Sequence, residues 1–320
     1  MSSKPTIVLS KFQFGDILVE YLLDNMTQNV GFQIIPITLQ TKRCSRREIL
    51  ENPETLLLPD FMPAIRAWQP EQLVQVKLSG DPLKGFSQGV TMRNSLSTTD
   101  LSYSGQEIFH GDEITEVVTT LRSLRGYACE HHLIYKNGDQ ALTVQSVIRN
   151  ECQKPLDLEL LTSFSISGLT PFAPDDAPDR LFLHRFRSAW SAEGRHVCES
   201  IEDLNLERSW SGHGVRSERY GQVGSMPVRG YFPFIGVEDR KESVFWGAQL
   251  VWAGSWQMEA YRCDDQLSFS GGLADYEFGH WQKRILPGET FSRHLAVVST
   301  VRGDLDDVCH RLKSMKNHTP

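Results

Sequence analysis

Hydrophobic and polar positions alternate in twos along much of the chain. From Leu156 the even positions are Leu156, Leu158, Leu160, Thr162, Phe164 and Ile166; the odd ones are Asp157, Glu159, Leu161, Ser163 and Ser165. Successive side chains of a strand point to opposite faces, so this pattern predicts a strand with one buried face. Residues 127–135 and 140–149 read the same way. The Asn137-Gly138 pair between them is a hairpin signal, because both residues accept positive φ. Further strands are predicted at 234–238, 244–252, 257–262, 267–273 and 290–301, with the polar DRKES joining the first two and Pro287-Gly288 turning the chain ahead of the last. Many strands punctuated by turns, without helices between them, predict an all-β antiparallel sandwich and not βαβ units.

Helical spacing is confined to two places. SRREILENPETLLLP, near 45–59, predicts a short helix ended by proline. In DLDDVCHRLKSM, Leu305, Val308 and Leu312 share a face and Asp304 stands at the N-cap. A lone helix after a β domain reads as a connector, which divides the chain into a β domain at 1–301 and a connector helix with its tail at 302–320. The segment VFWGAQLVWAGSWQME holds three of the chain's 7 tryptophans. Both faces of VFWGAQLVW are apolar, which predicts a central strand with Trp246 and Trp252 between two sheets. Trp256 follows a glycine turn and is expected to be an exposed ring.

Composition narrows the partners. With 320 residues, 40% hydrophobic and 23% charged, the chain is soluble and globular and large enough to bury a core without staples. The net charge of −7 and the lack of a Lys/Arg block argue against nucleic acid and against an anionic membrane surface. No apolar run approaches a membrane span and no leader is visible, so a cytoplasmic location is expected. Cys44, Cys129, Cys152, Cys198, Cys263 and Cys309 form no C-x-x-C pair and are expected to be reduced, mostly buried thiols.

Local motifs each meet a chemical objection. GFSQG (85–89) matches the nucleophile-elbow pattern around Ser87, but the polar, β-branched residues after it do not form the helical stripe that an elbow requires. PDDAPD offers Asp175, Asp176 and Asp179 in a proline-rich turn, where carboxylates are ordinarily solvated. His131 and His132 are strand neighbours and point to opposite faces; Cys129 shares the His131 face, but no second zinc pair follows. No phosphate loop or complete dinucleotide fingerprint is present, and neither cofactor nor metal is expected.

The order of several motifs is more informative. Pro233-Phe234-Ile235, Trp252-Ala253-Gly254-Ser255-Trp256 and Pro287-Gly288-Glu289-Thr290-Phe291 follow one another at fixed spacing. Upstream stand LFLHRFRSAWSAEGR (181–195) and GVTMRNS (89–95), the latter with Arg93. Together they resemble the amino-terminal domain of bacterial α-galactosidases of glycoside hydrolase family 36. The resemblance runs over about 80–320 and is strongest from Pro233 onward. It implies a large antiparallel β-supersandwich whose short C-terminal helix leads towards a (β/α)₈ barrel. That barrel carries the two catalytic aspartates of retaining α-galactoside hydrolysis. Neither of its motifs, Lys-Trp-Asp or the Ser-Asp segment, occurs in these 320 residues, so the chain alone is expected to be inactive.

The resemblance also implies a homo-oligomer, or a catalytic-barrel partner, in which a supersandwich loop reaches a neighbour's sugar pocket. Here that loop falls at 45–72, where Asp60, Arg66 and Trp68 are residue types suited to binding a galactoside. Two other functions are weighed against this one. A free-standing carbohydrate-binding module would use Trp68 or Trp256 as its platform, and a serine esterase would use Ser87.

Overall fold

A computed structural model of the chain describes residues 6–44, 70–82, 91–173, 175–191, 193–208, 215–224, 229–263, 265–292 and 294–314. The expected helix near 45–59, and with it Asp60, Arg66, Trp68 and Ser87, lies outside the described residues.

The chain opens with a meander of β1 (Thr6–Phe14), β2 (Ile17–Asp24) and β3 (Val30–Pro36). β4 (Val76–Leu78) and a one-turn helix α1 (Leu96–Thr99) lead into a four-strand meander, β5 (Leu101–His110), β6 (Ile114–Ser123), β7 (Tyr127–Lys136) and β8 (Leu142–Asn150). Then come β9 (Leu156–Ile166), β10 (Leu181–Ser188), β11 (Arg195–Ser200), β12 (Val215–Gln222), β13 (Gly230–Tyr231) and β14 (Phe234–Asp239). The last part holds β15 (Val244–Leu250), β16 (Trp256–Cys263), β17 (Gln266–Leu273), β18 (Lys283–Ile285), β19 (Thr290–Ser292), β20 (Ala296–Arg302) and the closing helix α2 (Leu305–Ser314). The expected strand at 290–301 is thus two strands that pair with β8 one after the other. Residues 96–99, expected to be non-helical, form one turn because the Ser95 hydroxyl accepts the Thr98 N–H.

The architecture is the expected all-β antiparallel supersandwich. The large sheet runs β11-β10-β14-β15-β20-β8-β7-β6-β5, with β13 and β19 at its sides. A smaller sheet runs β12-β16-β17-β9-β18 with β4 beside β9, and β1-β2-β3 stand as a third. β3 joins the two layers: its Phe32 carbonyl accepts the Ser167 N–H at the end of β9, and its Ile34 carbonyl accepts the indole N–H of Trp246 at 2.8 Å. One core fills the space between, from Tyr21 and Phe32 through Leu133 and Trp246 to Phe164 and Phe269. The predicted hairpin is present at Asn137-Gly138, where Gly138 takes φ +90°.

β15 is central and buried on both faces, as its sequence predicts. Trp246 and Ala248 face the main core, while Phe245 belongs to a second cluster closed by Val308 and Leu312 of α2. The helix is held by reciprocal caps: Asp304 accepts the Asp307 N–H and Asp307 accepts the Asp304 N–H, each at 3.0 Å. The Arg311 guanidinium then grips both oxygens of Asp16.

Three expectations about side chains are corrected. Trp252 lies past the end of β15 and not within it, half-buried at the margin of the main core, with its ring on the His294 imidazole at 3.5 Å. Trp256 is fully buried and not exposed, because it already belongs to β16 in the middle of the smaller sheet, edge-on to Tyr220. None of the six cysteines is in a disulfide, and only Cys129 of them is buried.

Candidate functional site

The outer face of the smaller sheet carries a polar array under cover. β9 was expected to turn Glu159, Ser163 and Ser165 to solvent, but it is buried on both faces from Leu158 onward. Strand register builds the array in rows. Arg219, Glu259, Ser270 and Ser165 are successive cross-strand partners from β12 to β9, and Ser217, Tyr261 and Ser268 form the next row. Side chains opposite each other on one face approach within about 5 Å, so these rows are contiguous.

Arg93 covers the rows. It is 1% exposed, donates to the hydroxyls of Ser270 and Ser165 and to the Glu71 carboxylate, and lies over the Tyr261 ring at 4.8 Å. Its neighbour Asn94, at φ +52°, donates to the Tyr261 hydroxyl at 3.0 Å and receives the Gln75 amide oxygen on its own N–H. Glu259 accepts from Ser217 and lies 4.0 Å from Arg219, whose other guanidinium nitrogens hold Asp275 and Glu277. Burial pushes the carboxyls of Glu259 and Asp275 up from the usual range, and the neighbouring arginines pull them back. Lys77 neutralises Glu159 at the near edge.

Every buried carboxylate of this layer is therefore tied to a cation. Glycoside hydrolysis needs one carboxyl free to protonate the leaving oxygen and another, about 5–10 Å away, free to attack or to activate water. Glu71, Glu159, Glu259 and Asp275 are each occupied in holding an arginine or lysine, which suits a framework more than an acid/base pair. Several buried polar atoms keep unused capacity: Glu71 Oε1, Arg93 Nε, Ser163 Oγ, Gln257 Oε1 and Ser268 Oγ have no partner. They gather on this one face.

The other sequence motifs are placed as follows. Asp175 and Asp179, with Arg180, Arg240 and Lys241, line a shallow surface cavity of about 570 Å³; Asp175 caps its own turn by accepting the Ala177 N–H. Cys129 and His131 do share the inner face of β7, fully buried; His131 faces the rings of Tyr21 and Phe32, while His132 points outward to Glu116 and Glu130. One grouping that sequence spacing did not indicate is His184, Cys198 and Glu238, brought together by β10, β11 and β14. No helix of the described residues is long and apolar enough to cross a membrane.

No protein-family model and no curated protein matches the chain. Solved structures share its fold. The galactosidase domain of the α-galactosidase-sucrose kinase AgaSK superposes with a TM-score of 0.64 at 13% identity, over 96% of this chain and 42% of that one. A variant of the GH36 α-galactosidase AgaA from Geobacillus stearothermophilus, in complex with stachyose, gives 0.64 at 15% identity over 94% and 42%. The α-galactosidase from Lactobacillus brevis gives 0.61 at 14% identity over 97% and 41%. The chain thus has the fold of one part of these α-galactosidases and spans about two fifths of their length.

Proposed function

We propose that the chain is the amino-terminal supersandwich of an α-galactosidase-type glycoside hydrolase, and that the catalytic barrel lies outside these 320 residues. One observation carries the reading: more than nine tenths of this chain superposes on about two fifths of each of three galactosidases. The arginine-tied carboxylates of the smaller sheet support a framework role. In the parent activity, retaining hydrolysis of terminal α-galactosides, the chain contributes contacts to a barrel or to other copies of itself. Asp60, Arg66 and Trp68 form one wall of the sugar site: arginine donates paired hydrogen bonds to vicinal hydroxyls, and tryptophan covers the apolar face of galactose. A cytoplasmic setting accords with six cysteines that make no disulfide.

The test is hydrolysis of nitrophenyl α-galactoside by the purified chain, with nitrophenyl butyrate beside it. Neither is expected to turn over. Galactoside turnover by a clean preparation places acid and nucleophile within these residues and overturns the reading. Butyrate cleavage that a Ser87→Ala change abolishes makes the protein an esterase instead.

A further inference from the structure

Independently of the galactosidase reading, the far end of the large sheet assembles a set of metal-binding donors. β11, the terminal strand, lies beside β10, and β10 beside β14. His184 on β10 is the direct cross-strand partner of Cys198 on β11 and of Gly236 on β14. A side chain at 236 would press on the Phe234 ring, at 3.0 Å, and reach the His184 Cβ at 3.4 Å, so glycine keeps the strand close beside both rings. Glu238, two residues on, turns its carboxylate to the same ring. His184 Nε2 is 3.0 Å from Glu238 Oε2 and 3.8 Å from Cys198 Sγ, and the three donor atoms all lie within 4.8 Å of one another.

We propose that His184 Nε2, Cys198 Sγ and Glu238 Oε2 form a three-ligand site for a borderline-soft divalent cation, with zinc as the ion this donor set favours. Imidazole, thiolate and carboxylate are zinc's usual ligands, and three protein ligands leave a fourth tetrahedral position for water. Zinc–ligand bonds of about 2.0–2.3 Å place the donors about 3.3–3.8 Å apart. The His184–Cys198 separation already fits, and the His184–Glu238 pair needs to open by only a few tenths of an ångström.

Hydrogen bonding prepares the ring. A carboxylate only accepts, so in the metal-free arrangement Nε2–H donates to Glu238, and Nδ1 accepts from His196 Nε2 at 2.9 Å. When an ion takes the Nε2 lone pair, the His184 proton moves to Nδ1 and donates to His196 Nε2. The proton that His196 gives up at Nε2 passes to its own Nδ1. His196 thereby becomes the outer partner that orients a metal-bound imidazole. The remaining proton change is loss of the Cys198 thiol proton to solvent, one per ion bound. The bound cluster is electrically balanced: two charges on the ion, one each on Cys198 and Glu238.

Arg240 already holds two of the three donors. Its Nε donates to Glu238 Oε2 at 3.2 Å and its Nη2 to Cys198 Sγ at 3.3 Å, with the guanidinium over the Phe182 ring. The arginine is half-exposed and also lines the surface cavity that holds Asp175 and Asp179, so it has open space and other carboxylates to move to. Arg240 is therefore a built-in competitor that weakens the site without blocking it.

The experiment uses the full chain, stripped with a chelator and titrated with cobalt(II) in an absorbance cell, then with zinc by calorimetry. One ion per chain is expected, with a thiolate-to-cobalt charge-transfer band and release of one proton per zinc. Cys198→Ser should abolish the band while leaving the circular dichroism spectrum unchanged. His196→Ala should weaken zinc by about 10–100-fold, and Arg240→Ala should tighten it. Absence of stoichiometric binding in both the wild-type chain and the Arg240→Ala variant overturns the proposal. So does a band that survives Cys198→Ser, since it would place the ion on another thiol.

Discussion

His131 offers a direct test of how the core treats a titratable group. Its ring is fully buried on the inner face of β7, between Thr119 and Ser146 on the flanking strands and against the rings of Tyr21 and Phe32. Neither ring nitrogen has a partner, and Thr119, Ser146, Tyr21 and Phe32 offer it no countercharge. Burial, with a smaller push from His132, lowers the imidazole from its ordinary 6.5 to about 3. An unfolded chain takes up a proton here below pH 6.5, whereas the folded chain refuses it until about pH 3. Stability is therefore complete above 6.5 and falls as pH drops through the window between the two values. Each unit is worth about 1.4 kcal/mol, so lowering the pH from 7.5 to 5 costs the fold about 2 kcal/mol through this residue alone. A His131→Leu variant keeps the volume and removes the titration. Urea unfolding followed by tryptophan fluorescence, at both pH values, isolates the effect from the carboxylates that both proteins share. The leucine variant should gain about 2 kcal/mol on the wild type as pH falls from 7.5 to 5. It should also be no less stable at pH 7.5, where it relieves two unpaired nitrogens. A gap between the two proteins that does not change with pH refutes the reasoning, because it means the folded core accepts the imidazolium.

Two further perturbations probe the layers on either side of this core. Arg93→Met leaves Glu71 buried without its cation and should cost about 3–5 kcal/mol in urea unfolding, whereas the double change Arg93→Met with Glu71→Gln should recover much of that loss; equal losses in both would show that the pair is not coupled. Gly247→Ala puts a methyl group 2.7 Å from Val308 Cγ2 and 3.2 Å from Leu312 Cδ1, which should lift α2 from β15, cost about 1–3 kcal/mol and speed proteolysis at the C-terminal helix.

How much of this the sequence disclosed depended on what covers each strand. β7, β8 and β17 were legible because one periodicity or one turn pair announced them; α2 was legible because its apolar stripe and its Asp304 cap agree. β2 and β3 were not. ILVEYLLD and VGFQIIP do not alternate, because both faces are buried, and the polar members Glu20 and Gln33 are satisfied by Arg43, a residue outside both strands. β11 hid for the opposite reason: RHVCES is an edge strand with mostly polar residues.

The polar array was misread in a more instructive way. Ser163 and Ser165 were assigned to solvent by the rule that polar residues face water, which fails when a second layer supplies their partners. A signal did exist. Serine alternates with Phe and Ile on adjoining strands, in LTSFSIS and in the LSFS of LSFSGGL, and such short side chains give an open sheet face little cover of its own. They suit a face on which something else packs, and Arg93 with Glu71 is what packs there. The His184 cluster had no such signal. Its members are separated by 14 and 54 residues from His184, distances that carry no ligand spacing, and only the register of three neighbouring strands turns them into one set of donors. Chemistry built on a single helix or turn leaves its spacing in the sequence, whereas chemistry built across a sheet is written in the strand order, which this chain shows only once it is folded.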